Sequence, residues 1–548
     1  MPPELRLNCE DRCVDRRRGF VSASMRSCPA SGFLSLWPRA SLAAAAVACA
    51  ASVGWAQPVR SDVAPPVEPD VRQWPGAAIG GHRLAPFFAA AAQRRADVIG
   101  LGDSNHVFNS HGWEHGWNAA LAARAGVYGT GLISLGENAG NGSGIGYRCG
   151  TLSTIASGAF IYADAGPPFD ALMNVPMTPN NANYVYLPRG ATAPSNAAAG
   201  LSINSDSPVR ASGHLRFQLV FGRFEGSTAL LRPVIRLNDP PYSVLAEFGP
   251  VPMFAPTNDV GIAEFQIQNT PPPSAVALLL ARPGAPAYES PLLGLYASAD
   301  DPDRLVGHAY HVLYFRGGHS LLTMANTLNT IDPSQVRLFL SLAGGGQRNE
   351  AGPIALVRIN SGLNDLRTNE PSFVGGFVPG SSPEAFADNL RAVIDSVKTS
   401  WAAAGFADES LYFLLTASHP IAGLDGQLLE RYADVAASIA LSMPRAACVR
   451  VHRLTDPEEM LRNNWYRLNG ADTYHLNQPA YIELAERELE ALERWCPGDW
   501  TGDTSFDSED IAVFLADWER GEGDVNRDGN TDSDDIVLFF QKWDAANC

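Results

Sequence analysis

Four polar residues in three short segments have the types and local contexts that acyl transfer requires. Ser104 lies in the segment 102–105 (Gly-Asp-Ser-Asn), Asn364 lies in a Gly-Leu-Asn-Asp segment, and Asp472 precedes His475 by three residues. A serine hydroxyl needs an adjacent base to react at neutral pH, and histidine titrates near neutrality. The set therefore predicts a serine nucleophile, a histidine base with a carboxylate behind it, and an amide donor for an oxyanion.

The elements that must position these residues are predicted from apolar runs. Residues 96–101 and 354–359 are short apolar stretches followed by glycine, which is typical of buried parallel strands. A helix-like stretch, 106–126, follows the first run, so Ser104 would lie at the carboxyl end of a strand, where open α/β sheets bind ligands. A second helix-like stretch, 480–495, follows His475. An aspartate three residues before its histidine would lie within one turn, so both side chains could point into one cleft.

The order of these motifs resembles the SGNH (GDSL-type) hydrolase superfamily over residues 90–150 and 305–496. The resemblance implies an α/β fold with a three-layer, flavodoxin-like core. It implies Ser104 as nucleophile, His475 as general base and Asp472 as the carboxylate that orients the imidazole. The oxyanion would be held by the Ser104 N–H, the Asn364 side chain and one glycine. For that glycine we prefer Gly318, which follows a strand-like run, and the glycine-rich run 140–146 stays open as the alternative.

The hydrolase-like segments, 57–150 and 307–496, are separated by an insert, residues 151–306. It alternates Pro-, Gly-, Asn- and Ser-rich stretches with short β-like runs, which predicts an inserted β-sandwich-like domain. Some exported SGNH esterases that act on polysaccharides carry a carbohydrate-binding-like sandwich at this place. A structural insert that only shapes the cleft is the alternative.

The N-terminal region predicts export. Residues 1–56 contain arginines, an apolar run at 41–51 and a small residue, Ala56, at its end, as in a secretory signal peptide; Met25 is an alternative start. We expect a secreted or periplasmic protein of bacterial-type export, and no later segment is apolar enough to predict a membrane span. The net charge of −18 argues against nucleic acid as a partner.

The C-terminal segment, 497–548, carries fourteen acidic and three basic residues and repeats with an offset of 25. The second copy places oxygen-bearing side chains and a turn glycine at calcium-loop spacing, whereas the first copy has Thr501 and Thr504 at two of these positions. This predicts structural Ca²⁺, and no cofactor for catalysis. The predicted ligands are Asp499, Asp503, Asp507 and Asp510 in the first loop and Asp524, Asn526, Asp528, Asn530, Asp532 and Asp535 in the second.

Two calcium loops, each followed by a helix, resemble a dockerin type I module, a small EF-hand-like α module. The resemblance implies docking on a cohesin-like protein partner, and a purely structural cap is the alternative. Four cysteines lie outside 1–56, at 149, 448, 496 and 548, and they allow three pairings.

Together these features predict a secreted serine esterase that hydrolyses esters on carbohydrate, preferably acetyl esters on a polysaccharide, through an acyl-serine intermediate. An O-acyltransferase with the same triad and a non-catalytic glycan-binding scaffold are the alternatives. Acyl group and glycan are not specified by the sequence.

Overall fold

The computed structural model describes much of one unit, Asp70–Cys548. The described residues are 76–103, 105, 112–126, 129, 133–134, 145–147, 150–153, 185–186, 199–203, 214–223, 230–237, 243–252, 254, 259–268, 276–281, 291–299, 306–316, 320–328, 353–367, 381–421, 426–467, 470, 472–493, 496–501, 505–525 and 530–545. The predicted signal segment, 1–56, lies outside them.

The strands are numbered in chain order. They are β1 Ala78–Ile79, β2 Arg95–Asp103, β3 Ile133–Ser134, β4 Ile145–Tyr147, β5 Gly150–Ser153, β6 Val185–Tyr186, β7 Ala199–Ile203, β8 His214–Arg223, β9 Leu230–Leu237, β10 Val244–Glu247, β11 Val251–Pro252, β12 Asp259–Gln268, β13 Val276–Ala281, β14 Pro291–Ala299, β15 Gly307–Arg316, β16 Ala355–Ser361, β17 Leu411–Ala417, β18 Ala446–Arg450, β19 Tyr466–Arg467 and β20 Asp472–Leu476.

The α-helices are numbered in the same way. They are α1 Ala85–Ala91, α2 Trp113–Arg124, α3 Leu321–Leu328, α4 Leu363–Arg367, α5 Pro383–Ala403, α6 Gly426–Leu441, α7 Pro457–Arg462, α8 Gln478–Glu493, α9 Ser508–Glu519 and α10 Ser533–Asp544. No helix in the described part of the chain is long and apolar enough to cross a membrane.

A six-stranded sheet of order β1-β18-β17-β16-β2-β15 forms the centre of the hydrolase-like region. Its strands are parallel except β1, which pairs antiparallel with β18. Every residue of β16 and β17 is buried. Strands covered on both faces need mostly apolar side chains on both, although β16 also buries Arg358, Asn360 and Ser361. The prediction of an α/β fold with a mostly parallel sheet is confirmed.

Helices cover both faces of this sheet. Side chains of α3, α5 and α6 share one buried cluster with strand residues such as Ile99, Val357 and Phe413. Side chains of α1, α2 and α8 share another with the alternate strand residues Val98 and Leu356. Because successive strand residues point to opposite faces, the two clusters lie on opposite sides of one sheet. The core therefore has three layers. We call the end of this sheet where β2, β16 and β17 finish the carboxyl edge, and the opposite end the amino edge.

The chain between β2 and β15 pairs within two further sheets, both antiparallel. One has the order β10-β9-β13-β7-β5-β4, with β11 paired to β9, and the other has the order β12-β8-β14-β3, with β6 paired to β14. In β8 the alternate residues Leu215, Phe217 and Leu219 are fully buried, so the strand has the period of two that predicted it. Strands β3, β4 and the start of β5 precede residue 151, and the boundary at that position stays a prediction.

Two helices, α9 and α10, form the C-terminal repeat. Each starts with a capping box, made by Asp507 with Asp510 and by Asp532 with Asp535. Phe514 and Phe539 stack at a ring-centroid distance of 4.0 Å in a small core that also contains Trp500 and Val525.

Two of the three tryptophans in residues 497–548 connect α9 and α10. The indole N–H of Trp518 donates to the backbone carbonyl of Asp532 at 2.9 Å, and that of Trp543 donates to the carbonyl of Asp507 at 3.1 Å. Each of these two tryptophans thus binds the residue that caps the start of the other helix.

A buried polar junction joins α9 to the hydrolase-like region. Asp517 accepts hydrogen bonds from the Arg83 guanidinium at 2.9–3.1 Å and from the indole N–H of Trp500 at 2.8 Å, with His82 at 3.3 Å. Arg83 also donates to three carbonyls, those of Ala440, Leu441 and Met443, where α6 ends. Because α6 leads into the start of β18, the junction lies at the amino edge.

The cysteines divide into two kinds. Cys448 in β18 is a free, buried thiol, and burial raises its pKa to about 12. Cys496 is disulfide-bonded, and its partner lies outside the described residues. Each of the three complete pairings of the four cysteines outside 1–56 uses Cys448, so all three are excluded.

Candidate active site

The carboxyl edge brings together the segments that flank Ser104 and Asn364. Strand β2 ends at Asp103, and β16 leads through Gly362 into α4, which contains Asn364. Gly362 has φ of 100°, a left-handed conformation that suits glycine and allows the sharp turn from strand to helix. Since β2 and β16 are neighbouring parallel strands, their carboxyl ends deliver both segments to one place.

Asp103 connects these two segments directly. Its carboxylate accepts a hydrogen bond from the Asn364 side-chain amide at 3.3 Å and another from the Asn105 backbone N–H at 2.9 Å. All three residues are almost fully buried. Ser104 lies outside the described residues, but its two chain neighbours are held beside Asn364. The role of Asn364 beside Ser104 stays a prediction.

Asp472 and His475 form a hydrogen-bonded pair. The distance from His475 Nδ1 to Asp472 Oδ2 is 2.9 Å, and both side chains remain partly accessible. Burial alone would raise the pKa of the Asp472 carboxyl. The hydrogen bond and charge of His475 and the N–H groups of His475 and Tyr474 outweigh that effect, so the pKa is lowered. An ionised Asp472 assigns the proton on the imidazole to Nδ1, which leaves Nε2 as the base.

The local backbone at this pair differs from the expected single turn. Residues Asp472–Leu476 are strand β20, which pairs antiparallel with β19 through an irregular register. On a regular strand, residues three apart point to opposite faces. Here the Asp472 carboxylate accepts the N–H groups of Tyr474 at 3.1 Å and His475 at 3.2 Å, an Asx-type turn. That turn brings the two side chains together.

Two contacts fasten the β19–β20 hairpin to the carboxyl edge. The Tyr466 hydroxyl donates to the carbonyl of Pro420, which follows β17, at 3.0 Å. The Leu476 N–H donates to the Tyr481 hydroxyl, which in turn donates to the Asn105 side chain at 2.6 Å. The Asp472–His475 pair is therefore attached to the same edge as the segments around Ser104 and Asn364.

His419 lies close to this pair. It follows the end of β17 and is fully buried. Burial, and then the positive charge of His475, lower its pKa to about 3, while Tyr474 and Asp472 oppose the shift. His419 is therefore neutral at physiological pH and does not compete with His475 for the Asp472 carboxylate. Its place directly after an apolar strand is the signal that could have identified it.

Asp365 connects Asn364 to the helix that follows the preferred oxyanion glycine. The Leu321 N–H, at the start of α3, points to the Asp365 carboxylate at 3.3 Å. Burial raises the pKa of Asp365 to about 6, although hydrogen bonds from backbone N–H groups and from Ser381 oppose the shift. Gly318 and the run 140–146 both lie outside the described residues, so the choice between them stays a prediction.

The sequence did not identify four residues of this edge: Asp103, Asn105, His419 and Tyr481. Asp103 and Asn105 flank the candidate nucleophile, so their adjacency was the available signal. Tyr481 gave no signal, since its contact with Asn105 joins residues 376 positions apart.

The described calcium-loop side chains at the predicted ligand positions all carry an oxygen atom. Asp535, at the last position of the second loop, accepts from the N–H of Val525 at 2.7 Å and of Asp532 at 2.9 Å. Asp510 accepts the equivalent bond from the Asp507 N–H, and it also accepts from the N–H and hydroxyl of Thr501. Oxygen donors suit a hard cation.

Three predicted calcium ligands, Asp503, Asn526 and Asp528, lie outside the described part of the chain. Within it no group of three His, Cys, Asp or Glu side chains is arranged to hold a metal ion. Calcium binding therefore stays a prediction.

Comparisons with known proteins leave the family open. No protein-family model matches the chain, and no curated protein matches it. A solved peptidoglycan O-acetylesterase is 10% identical, with a TM-score of 0.43, over 75% of this chain and 95% of its own. A carbohydrate acetylesterase from Sinorhizobium meliloti is 15% identical, with a TM-score of 0.22; the match covers 34% of this chain and 78% of that protein. A family two carbohydrate esterase from Cellvibrio japonicus is 10% identical, with a TM-score of 0.22; the match covers 66% of this chain and 98% of that protein. Likeness at these values establishes neither family nor activity.

Proposed function

We propose that the protein is a serine ester hydrolase of the SGNH type. The observation that carries the proposal is the Asp472–His475 pair at the same sheet edge as Asn364 and the two neighbours of Ser104. Serine, an oriented histidine and an amide donor are the parts that acyl transfer needs.

The reaction would proceed in two halves. Ser104 Oγ attacks the ester carbonyl carbon while His475 Nε2 takes its proton, and the Asn364 amide stabilises the oxyanion together with the Ser104 N–H and a glycine N–H, preferably that of Gly318. Collapse of the intermediate breaks the bond to the alcohol, which receives the proton from His475. Water then attacks the acyl-serine by the same route and releases the acid.

The nucleophile assignment is tested on purified protein. Ser104→Ala should lower kcat/KM for p-nitrophenyl acetate by roughly four orders of magnitude or more, as loss of a triad member does elsewhere. A fluorophosphonate should form an adduct that mass spectrometry locates on Ser104. Ser410→Ala is the matched control, because it removes a hydroxyl that only donates to the Ala407 carbonyl. Full activity of Ser104→Ala would refute the proposal.

For the substrate, we propose acetyl esters on a polysaccharide outside the cytoplasm. The support is the export signal predicted for residues 1–56 and the β-rich region between β2 and β15. Acetate release from acetylated xylan, pectin and peptidoglycan tests the class. An added acceptor glycan distinguishes the alternatives: acetyl transfer without free acetate would indicate an acyltransferase, and neither product would indicate a non-catalytic scaffold.

We further propose that the C-terminal repeat holds Ca²⁺ in its loops, the second more tightly than the first. The second loop keeps Asn526 and Gly529 at positions where the first has Thr501 and Thr504. Docking on a cohesin-like partner remains a hypothesis for the faces that α9 and α10 leave exposed, since Trp500 and Asp517 are already buried against the hydrolase-like region.

A further inference from the structure

One hydroxyl group connects the two halves of the candidate active site. Tyr481, in the first turn of α8, donates to the Asn105 side-chain oxygen at 2.6 Å and accepts from the Leu476 N–H at 3.3 Å. Asn105 follows the candidate nucleophile in the chain, and Leu476 follows the candidate base. All three residues are 0–1% exposed, so water does not replace either bond.

Tyr481 is itself held firmly. Its ring packs edge-to-face on Trp113 at a centroid distance of 5.4 Å. Its backbone carbonyl lies so close to Gly116 in α2 that a Cβ there would be 2.2 Å from the oxygen, so only glycine fits. The short, direct contact between α2 and α8 therefore fixes the position of the hydroxyl.

Two hydrogen bonds hold Asn105. The backbone N–H of Trp113 donates to the Asn105 backbone carbonyl at 3.0 Å, and the Tyr481 hydroxyl donates to the Asn105 side chain. Burial raises the pKa of Tyr481 above its ordinary value, so the hydroxyl stays protonated and can donate at every pH at which the protein is folded.

We propose that Tyr481 is a positioning residue that sets the separation between the serine turn and the histidine strand. The inference rests on the proposed serine-esterase function. The two segments belong to different elements, since the serine turn follows β2 of the central sheet and His475 belongs to the separate β19–β20 hairpin. The Tyr481 hydroxyl is a direct link between them. Misplacement of a reacting group by about 1 Å costs on the order of 100-fold in rate.

The test is Tyr481→Phe, which keeps the ring and removes only the hydroxyl. We expect kcat for p-nitrophenyl acetate to fall roughly 10- to 100-fold, with KM changed less than about twofold, because the groups move relative to each other and not relative to the substrate pocket. Trp401→Phe is the control: it also removes a buried hydrogen-bond donor, the indole N–H that donates to the Ala407 carbonyl at 2.9 Å just before β17 begins, at the amino edge. It should lower thermal stability and keep kcat.

A double-mutant cycle with Asn105→Ala assigns the effect to this bond. If Tyr481 acts through Asn105, the double variant should be no slower than the slower single variant. Tyr481→Phe with kcat within twofold of the parent would overturn the inference, and so would a kcat loss that Trp401→Phe shares. Failure of the esterase proposal is distinguishable, since the parent would then hydrolyse no ester or Ser104→Ala would keep the parent's activity.

Discussion

The two edges of the central sheet use buried polar groups in opposite ways. At the amino edge, the Asp517 carboxylate is surrounded by donors from Arg83, His82, Trp500 and Arg520. At the carboxyl edge, the His475 and Asp472 side chains remain 14% and 18% exposed. A charge with every lone pair satisfied contributes to a fixed structure, whereas a base must keep one nitrogen available for a proton.

The pKa values follow the same division. Burial would raise the pKa of Asp517, but the hydrogen bond from His82 and the charge of Arg83 hold it below its ordinary value. At Asp365 the effect of burial exceeds that of the hydrogen bonds, and the pKa is raised to about 6. The carboxyl edge therefore contains a carboxyl group that resists ionisation, a common property of sites that carry out chemistry. The amino edge has the pattern of a structural joint.

Among the changes that test this comparison, Asp517→Ala should have the largest effect, a loss of unfolding free energy. It leaves the Arg83 guanidinium buried and without its carboxylate, a change that typically costs about 3–5 kcal/mol of unfolding free energy. The control is Asp388→Ala, which breaks an exposed pair with Arg391 and should cost at most about 1 kcal/mol. Urea unfolding measures both.

Esterase activity at 25 °C should not change in Asp517→Ala, because the junction lies at the edge opposite the candidate site. A loss of kcat comparable with that of Tyr481→Phe would show that the two edges are not independent. A stability loss no greater than that of Asp388→Ala would show that the junction is not a structural joint.

Asp365 gives a smaller effect with a defined pH range. A raised pKa means that the folded state favours the protonated carboxyl, so its contribution to stability is complete below about pH 4 and is lost as pH rises through about 6. The two-unit difference corresponds to roughly 3 kcal/mol. Asp365→Asn keeps an oxygen for the Leu321 N–H but does not titrate.

The measurement is urea unfolding of the parent and Asp365→Asn at pH 4, 5, 6 and 7. We expect the parent to lose stability relative to the variant as pH rises across this range. If the unfolding free energies of the parent and the variant change with pH in parallel, Asp365 is ionised in the folded protein at little cost. The two edges would then not differ in how they treat a buried carboxyl group.

The sequence was most informative where a pattern is local and repeated. Strands β2 and β16 are buried on both faces, so each is a mostly apolar run; the observed strands begin within one residue of the predicted runs and end two residues beyond them. The Asp472–His475 pairing was also predicted, but as one turn and not as a strand with an Asx-type turn. The partner strand β19 has only two residues, which is too short to leave a recognisable pattern.

Single polar contacts between distant segments were not predictable. The Asp103–Asn364 bond spans 261 positions and the Arg83–Asp517 pair spans 434. Each involves one polar residue in an otherwise ordinary segment, and no periodicity marks it. Tyr481 is the same case, because a tyrosine near the start of an amphipathic helix predicts only a packed ring. The residues that position the candidate site are therefore harder to identify from the sequence than the residues proposed to react.

The smallest expected effect is that of calcium, which should change thermal stability through the amino edge and leave the candidate site at the carboxyl edge unaffected. A cation bound only by the folded protein stabilises it by about 2.7 kcal/mol at a concentration 100 times its Kd. Because the repeat is joined to the hydrolase-like region through Asp517, millimolar Ca²⁺ should raise the Tm of the whole protein above its value in chelator, and kcat should stay unchanged.

Asp528→Asn removes a predicted ligand of the second loop, and Asp503→Asn removes its counterpart in the first. We expect Asp528→Asn to abolish most of the Tm increase and Asp503→Asn to abolish little. Equal losses would contradict the ranking of the loops, and no Tm change with calcium in the parent would mean that the repeat stabilises the amino edge without a metal.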